Sequence, residues 1–230
     1  MATLGFDIYG TLIDTAGITD ALRPHAGERA AAFSAAWRAK QLEYAFRRGL
    51  MQNFRDFAVC TEQALDFCAS SFGIRLSPAE RDALLSSYRE LPPFPDALDG
   101  MRRVRAAGLR AFAFSMGRAD DVARLLEANG LAPHFEGIVS LQEPQMFKPS
   151  PAAYSYFARR VGIGMGDAWL VSGNPFDVIG AVSAGMNGAW VKRSPDAVFD
   201  PWEVRPTVAV DSVGALAEAI PAHLRGVTSR

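Results

Sequence analysis

Cysteine is nearly absent from this 230-residue chain, which carries only Cys60 and Cys68. The two sit eight apart in a segment that reads as helix, more than two turns along the axis. That is too far for a disulfide within one straight helix. No CxxC pair or Cys/His cluster is present, so nothing points to zinc. No apolar run approaches membrane-spanning length. Neither sign of charge dominates: Lys and Arg number 24, Asp and Glu 25, for a net charge of -1. That balance leaves no electrostatic footprint for nucleic acid or an anionic membrane. Arg102, Arg103, Arg105, Arg159 and Arg160 are scattered and read as solvated helix faces. Internal repeats and low-complexity stretches are missing too. The amino terminus reaches a strand within four residues, leaving no room for a signal peptide. These absences predict a soluble protein of the reducing cytoplasm with no nucleic-acid or membrane partner.

What is present is ordinary globular material, 49% apolar and 21% charged, enough for one sizeable domain or a core with a smaller one inserted. A strand is expected near Thr3–Ile8. A long region without a convincing strand follows, in which Ala30–Leu50 and Phe54–Phe72 carry apolar residues at helical spacing. Gly73 closes the second of these helices, and Ser77-Pro78 opens another with an N-cap serine and a first-turn proline. Leu91-Pro92-Pro93-Phe94-Pro95 is a stiff extended connector, because proline cannot continue a helix.

After the connector the pattern alternates. Helices are expected at Asp96–Ala107, Ala119–Asn129, Ala152–Val161 and Asp177–Ala184. Short apolar strands are expected at Leu109–Phe114, Gly137–Ser140, Ala168–Val171 and Ala189–Val191. Such alternation predicts an α/β fold with a doubly wound parallel sheet. Residues 1–13 and 95–230 are assigned to the core. Residues 14–94 are assigned to a helical cap inserted after the first strand, leaving and re-entering beside Asp7.

Polar groups stand where the apolar runs stop: Asp7 and Thr11, then Ser115-Met116-Gly117, then Lys148-Pro149, then Ser172-Gly173-Asn174-Pro175-Phe176-Asp177. Taken singly, each has a plain explanation as a turn, cap or solvated charge. Together, at the carboxyl ends of strands around one crevice, they predict a ligand site. Lys148 there would offset the charges of Asp7 and Asp177.

This set resembles the haloacid dehalogenase superfamily, and more narrowly the type II (S)-2-haloacid dehalogenases, over about residues 4 to 193. The stretch Trp37-Arg38-Ala39-Lys40-Gln41-Leu42-Glu43-Tyr44 is similar to that group's cap helix, which supplies an arginine to the active site. Superfamily phosphatases carry a second aspartate two places after the nucleophile. Tyr9 stands there, which disfavours phosphoryl transfer. Asp7 and Asp177 with Lys148 nearby would hold magnesium poorly, so no metal and no cofactor are expected.

The resemblance implies that Asp7 displaces the leaving group at C2 of a small 2-substituted carboxylate, forming an ester that water hydrolyses to a 2-hydroxy acid. Thr11 would orient the second oxygen of Asp7, and Lys148 would orient Asp7 and offset its charge. Ser115 and the backbone N–H groups of Ile8, Tyr9 and Met116 would hold the substrate carboxylate. Arg38 would assist the departing anion. Asp177, with Ser172 and Asn174, would position or activate water. Tyr9, Leu42, Phe57, Tyr154 and Phe176 are expected to line the substrate pocket with Met116.

Two positions depart from the group. Met116 stands where it usually has an asparagine linked to halide binding, and Gly173 where many members have a second serine. Met116 is compatible with an alternative, azetidine-2-carboxylate hydrolysis, in which the same aspartate opens a ring whose leaving group is an amine. A superfamily phosphatase and a non-catalytic protein of the same fold are further alternatives, opposed by Tyr9 and by the intact polar set respectively. A homodimer is expected by resemblance and from the apolar cap helices.

Overall fold

The computed structural model describes residues 2–228. Its centre is strand β1 (Thr3–Phe6), buried throughout, so its residues must be apolar or small. After β1 come four helices: α1 (Thr19–Ala26), α2 (Ala30–Leu50), α3 (Phe57–Ser71) and α4 (Pro78–Arg89). The chain then alternates through α5 (Ala97–Ala106), β2 (Arg110–Ser115), α6 (Ala119–Ala128), β3 (Gly137–Ser140), α7 (Pro151–Val161), β4 (Ala168–Ser172), α8 (Pro175–Ser183), β5 (Asn187–Val191), β6 (Val208–Val210) and α9 (Leu216–Thr228). The six strands form one parallel sheet in the order β3-β2-β1-β4-β5-β6. The strand order reverses direction beside β1, which opens the crevice where α/β sheets bind ligands.

Period-2 alternation divides the core between the two faces of the sheet. Phe114 of β2 and Leu170 of β4 pack with Tyr154 and Phe157 of α7. Their neighbours Ala113, Trp169 and Val171 pack with Met101 of α5, Leu125 of α6 and Ile220 of α9. The predicted strand and helix positions recur with boundary shifts of a few residues. β6, α1 and α9 were not foreseen. Cys60 and Cys68 are free and buried on α3. No described helix is long and apolar enough to cross a membrane.

Helices α1 to α4 stand on two connectors that pair with each other. The Asp14 N–H donates to the Pro92 carbonyl (2.9 Å), the Phe94 N–H donates to the Leu12 carbonyl (2.8 Å), and Ile13 bridges Pro93 antiparallel. Along α2 the residues Phe33, Trp37, Gln41 and Ala45 form a buried stripe at four-residue spacing. The adjacent stripe of Arg38, Leu42 and Phe46 is only half-buried, and it is this stripe that meets the strand ends. Trp37 satisfies its indole N–H on the Thr61 carbonyl (2.9 Å), so α2 and α3 are pinned without an orphaned donor. A complete capping box between Ser77 and Glu80 starts α4.

Candidate active site

Asp7 lies one residue beyond β1, where the ladder ends and the side chain turns into the crevice. Its two oxygens are held unequally. Oδ2 accepts from Thr11 Oγ1 (2.7 Å), Asn174 Nδ2 (2.7 Å) and Ser172 Oγ (3.3 Å). Among the described residues, Oδ1 accepts from Lys148 Nζ alone (3.2 Å). Oδ1 is therefore the oxygen with lone-pair density left for a substrate.

The Lys148 side chain is fully buried, and each of its three N–H groups is used. The acceptors are Asp7 Oδ1, Asp177 Oδ2 (2.8 Å) and the Phe114 carbonyl (3.0 Å). Burial pulls its pKa down, but the charges of Asp177 and Asp7 outweigh that and hold it above the usual lysine value. Asp177 sits behind Lys148, 0% exposed, with Oδ1 accepting from the Tyr154 hydroxyl (2.8 Å). Desolvation pushes its carboxyl up to about 6 and Asp7 adds to the rise, although Lys148 opposes it. The space between the two carboxylates is thus filled by an ammonium, a poor setting for a cation. No cluster of three potential ligands occurs among the described residues.

Two expectations change here. Tyr154 was expected to line the substrate pocket. It is instead fully buried beneath Asp177, and its hydroxyl is committed to that carboxylate. Gly180 permits this approach, since a Cβ there would lie 2.5 Å from the Tyr154 hydroxyl. Asp177 was expected to position or activate water. Both its oxygens are occupied and none faces the crevice, so it reaches Asp7 only through Lys148.

The remaining residues converge as follows. Asn174 and Arg38 share one acceptor, the Tyr9 carbonyl, at 3.0 and 3.1 Å. This oxygen is where α2 touches the sheet edge. Arg38 also donates to Gln41 Oε1 (3.4 Å), which accepts from the Tyr88 hydroxyl (2.8 Å). Ser115 Oγ accepts from the Gly117 N–H (3.0 Å), leaving its own proton for a ligand. The N–H groups of Ile8, Tyr9 and Met116 lie outside the named strands and donate to no acceptor among the described residues, so they are open to an anion.

Apolar groups close the other side. The Tyr9 ring stacks on Tyr88 (6.0 Å, 17° between planes). Burial, with the nearby Tyr88 and Asp121, drives the Tyr9 hydroxyl well above its ordinary pKa, so it stays neutral. Met116 packs against both the Phe114–Tyr154 cluster and the Phe57–Phe147 cluster. Phe176 meets Phe46 of α2 edge-on at 5.0 Å. Leu42 lies on the Arg38–Phe46 stripe, between the two residues that contact the sheet edge. Sequence reasoning missed Phe46 and Tyr88. Phe46 could have been found, because it stands four residues after Leu42 and eight after Arg38.

Comparison with known proteins bears on this geometry. The profile of the haloacid dehalogenase-like hydrolases matches residues 1–185. The chain belongs to that family. An (S)-2-haloacid dehalogenase of Pseudomonas putida is 31% identical over 211 residues, 92% of each chain. Haloacetate dehalogenase H-2 of Moraxella is 30% identical, covering 94% of this chain and 96% of its own. An L-2-haloacid dehalogenase from Xanthobacter autotrophicus, solved with chloropropionic acid covalently bound, superposes with a TM-score of 0.87 at 26% identity. That match covers 96% of this chain and 98% of the other. Within the family this hydrolase therefore groups with the 2-haloacid dehalogenases.

Proposed function

We propose that this protein hydrolyses the carbon–halogen bond of small (S)-2-haloacids through an ester on Asp7. The observation that carries the reading is the unequal solvation of the Asp7 carboxylate, with three donors on Oδ2 and only Lys148 on Oδ1. Oδ1 attacks C2 and the halide departs toward Arg38. Ser115 and the free N–H groups of Ile8, Tyr9 and Met116 bind the substrate carboxylate.

In the ester, Oδ2 becomes the carbonyl oxygen. Water then adds at Cγ, and the charge that develops on Oδ2 falls on Thr11, Ser172 and Asn174, donors already aimed at that atom. Asp177 keeps Lys148 oriented on Oδ1, the ester oxygen that becomes the leaving alkoxide. As the Cγ–Oδ1 bond breaks, Oδ1 takes one proton of the added water, which releases the 2-hydroxy acid, and the Asp7 carboxyl returns its other proton to solvent. No step needs a metal.

The test is incubation with (S)-2-chloropropionate, fluoroacetate, azetidine-2-carboxylate and p-nitrophenyl phosphate, with and without chelator. Halide release unaffected by chelator supports the proposal. A single turnover in ¹⁸O-water should put no label in the first product, because the new oxygen enters Asp7. Magnesium-dependent phosphate release would overturn it. Met116 favours one second reading, opening of azetidine-2-carboxylate: a thioether packed between two apolar clusters offers no donor to a halide. Ring opening without halide release would select it.

The cap boundaries 14–94 are part of the same proposal, with the connector ribbon as the hinge. A homodimer joined by the insert fits the exposed Leu50, Met51 and Phe67, and sedimentation tests it. Residence in the reducing cytoplasm fits two buried free thiols, and cell fractionation tests that.

A further inference from the structure

Arg193 follows β5 by two residues and takes no part in the reaction just described, yet its side chain is only 12% exposed. Its guanidinium is used on every side. Nε donates to the Thr11 carbonyl at 2.7 Å and Nη2 donates to the same oxygen, while Nη1 donates to Asp96 Oδ1 at 2.7 Å. The other Asp96 oxygen accepts from the Val213 N–H (2.8 Å). The guanidinium carbon lies 4.3 Å from the centre of the Phe94 ring. Thr11 stands where the chain leaves the sheet for the helical insert. Phe94 and Asp96 stand where it returns. One core side chain thus grips both connectors at their base.

Thr11 is also tied to the nucleophile. Its carbonyl is in the arginine fork, while its hydroxyl donates to Asp7 Oδ2 (2.7 Å) and accepts from the Gly173 N–H (2.8 Å). Gly173 makes the approach possible. A Cβ there would lie 2.3 Å from the Gly10 carbonyl oxygen and 3.0 Å from Arg193 Cγ. Position 173 is therefore held to glycine by its approach to the Gly10 carbonyl, with the Arg193 stem the next group a side chain would meet.

We propose that Arg193 is a positioning residue of the reaction. By holding the Thr11 carbonyl and Asp96 together, it fixes the Thr11 hydroxyl on the nucleophile and the helical insert on the sheet. Its role rests on Asp7 being that nucleophile. A lysine could supply the charge but not the planar fork that reaches Thr11 and Asp96 at once.

The experiment is a double-mutant cycle of Arg193→Met, which keeps the buried stem, with Thr11→Val, which removes only the hydroxyl. Two readouts are taken: kcat and KM for halide release from (S)-2-chloropropionate, and amide hydrogen exchange at Gly173. Arg193→Met is expected to lower kcat on the order of 100-fold with KM little changed, as misplacement at a distance does. Because it acts through Thr11, the double variant should be no slower than the slower single variant. Gly173 should lose protection in both single variants while the amides of β1 and β4 keep theirs.

Losses that multiply, a Gly173 amide still protected in Arg193→Met, or a uniform loss of protection across the sheet would each overturn the proposal. Should Arg193→Met fail to fold, Arg193→Lys carries the same cycle. If the wild-type protein releases no halide from any 2-haloacid, the proposed reaction fails separately, and the exchange readout still decides the clamp.

Discussion

Replacing Lys148 with methionine should cost more than any other single substitution at the site. Methionine fills the stem and keeps the contact with the Phe114 ring, over which the ammonium sits at 4.3 Å, so little is lost in packing. What disappears is a cation that bridges two carboxylates inside the protein. Removing one partner of a buried ion pair costs about 3–5 kcal/mol, because the remaining charge stays desolvated. For a chain of this size that corresponds to a melting temperature lowered by roughly 2–4 °C per kcal/mol.

The pH dependence identifies the charge responsible. Asp177 titrates near 6 in the folded protein, above its unfolded value. The folded state therefore binds more protons between these values, and stability falls as pH rises through that window. Above the window the wild-type protein keeps Lys148 charged, since its pKa is raised. Without Lys148 the carboxyl loses its lowering partner, so the window extends to higher pH. The gap between wild type and Lys148→Met in urea unfolding should then be small near pH 5 and large near pH 8. Halide release should fall on the order of 10³-fold. A gap under about 1 kcal/mol at pH 8, or one equal at both pH values, would refute a buried ammonium between two ionised carboxylates.

Three other substitutions probe separate parts of the site. Met116→Asn supplies an amide donor and should speed release of chloride from 2-chloropropionate by about 10–100-fold, the worth of one hydrogen bond to an anion; unchanged chloride release assayed by electrode would move the limiting step elsewhere. Arg38→Lys should lower kcat/KM on the order of 100-fold, since an ammonium cannot span the Tyr9 carbonyl and Gln41 together; activity within a few-fold of wild type would remove Arg38 from the leaving-group role. Tyr154→Phe should lower stability by roughly 1–3 kcal/mol through the donor lost to Asp177 and reduce kcat with KM unchanged; a raised KM with kcat intact would return Tyr154 to the substrate pocket.

Much of this molecule was legible where its determinants are local. β1 and β4 read as strands because they are short apolar runs ended by polar turns. Asp7, Ser115 and Ser172 were placed together because parallel strands must end on one side. The elements that were missed have local signals that point the wrong way. Pro24 lies inside α1 and Pro221 inside α9, and proline in a helix interior argues against the helix unless tertiary packing outweighs the lost hydrogen bond. β6 is three residues at the sheet edge, too short for a period-2 pattern to stand out.

The same division explains which site residues could not be read. Tyr154 lies in a stretch with sound helical spacing, and nothing nearby says that its hydroxyl meets Asp177. That follows from the missing Cβ of Gly180, 26 positions away. Arg193 is the stronger case. Lys192-Arg193-Ser194-Pro195 has the composition of a solvated connection, and its local sequence predicts an exposed charge. The register of the sheet overrides that: β5 runs parallel beside β4, with Ser172 opposite Trp190. Continuing β5 by two residues carries Arg193 past the end of the ladder, over Gly173, and onto the Thr11 carbonyl. A side chain whose role is set by register between distant strands leaves no trace among its own neighbours in the sequence, and it packs over a glycine whose only contribution is to be small.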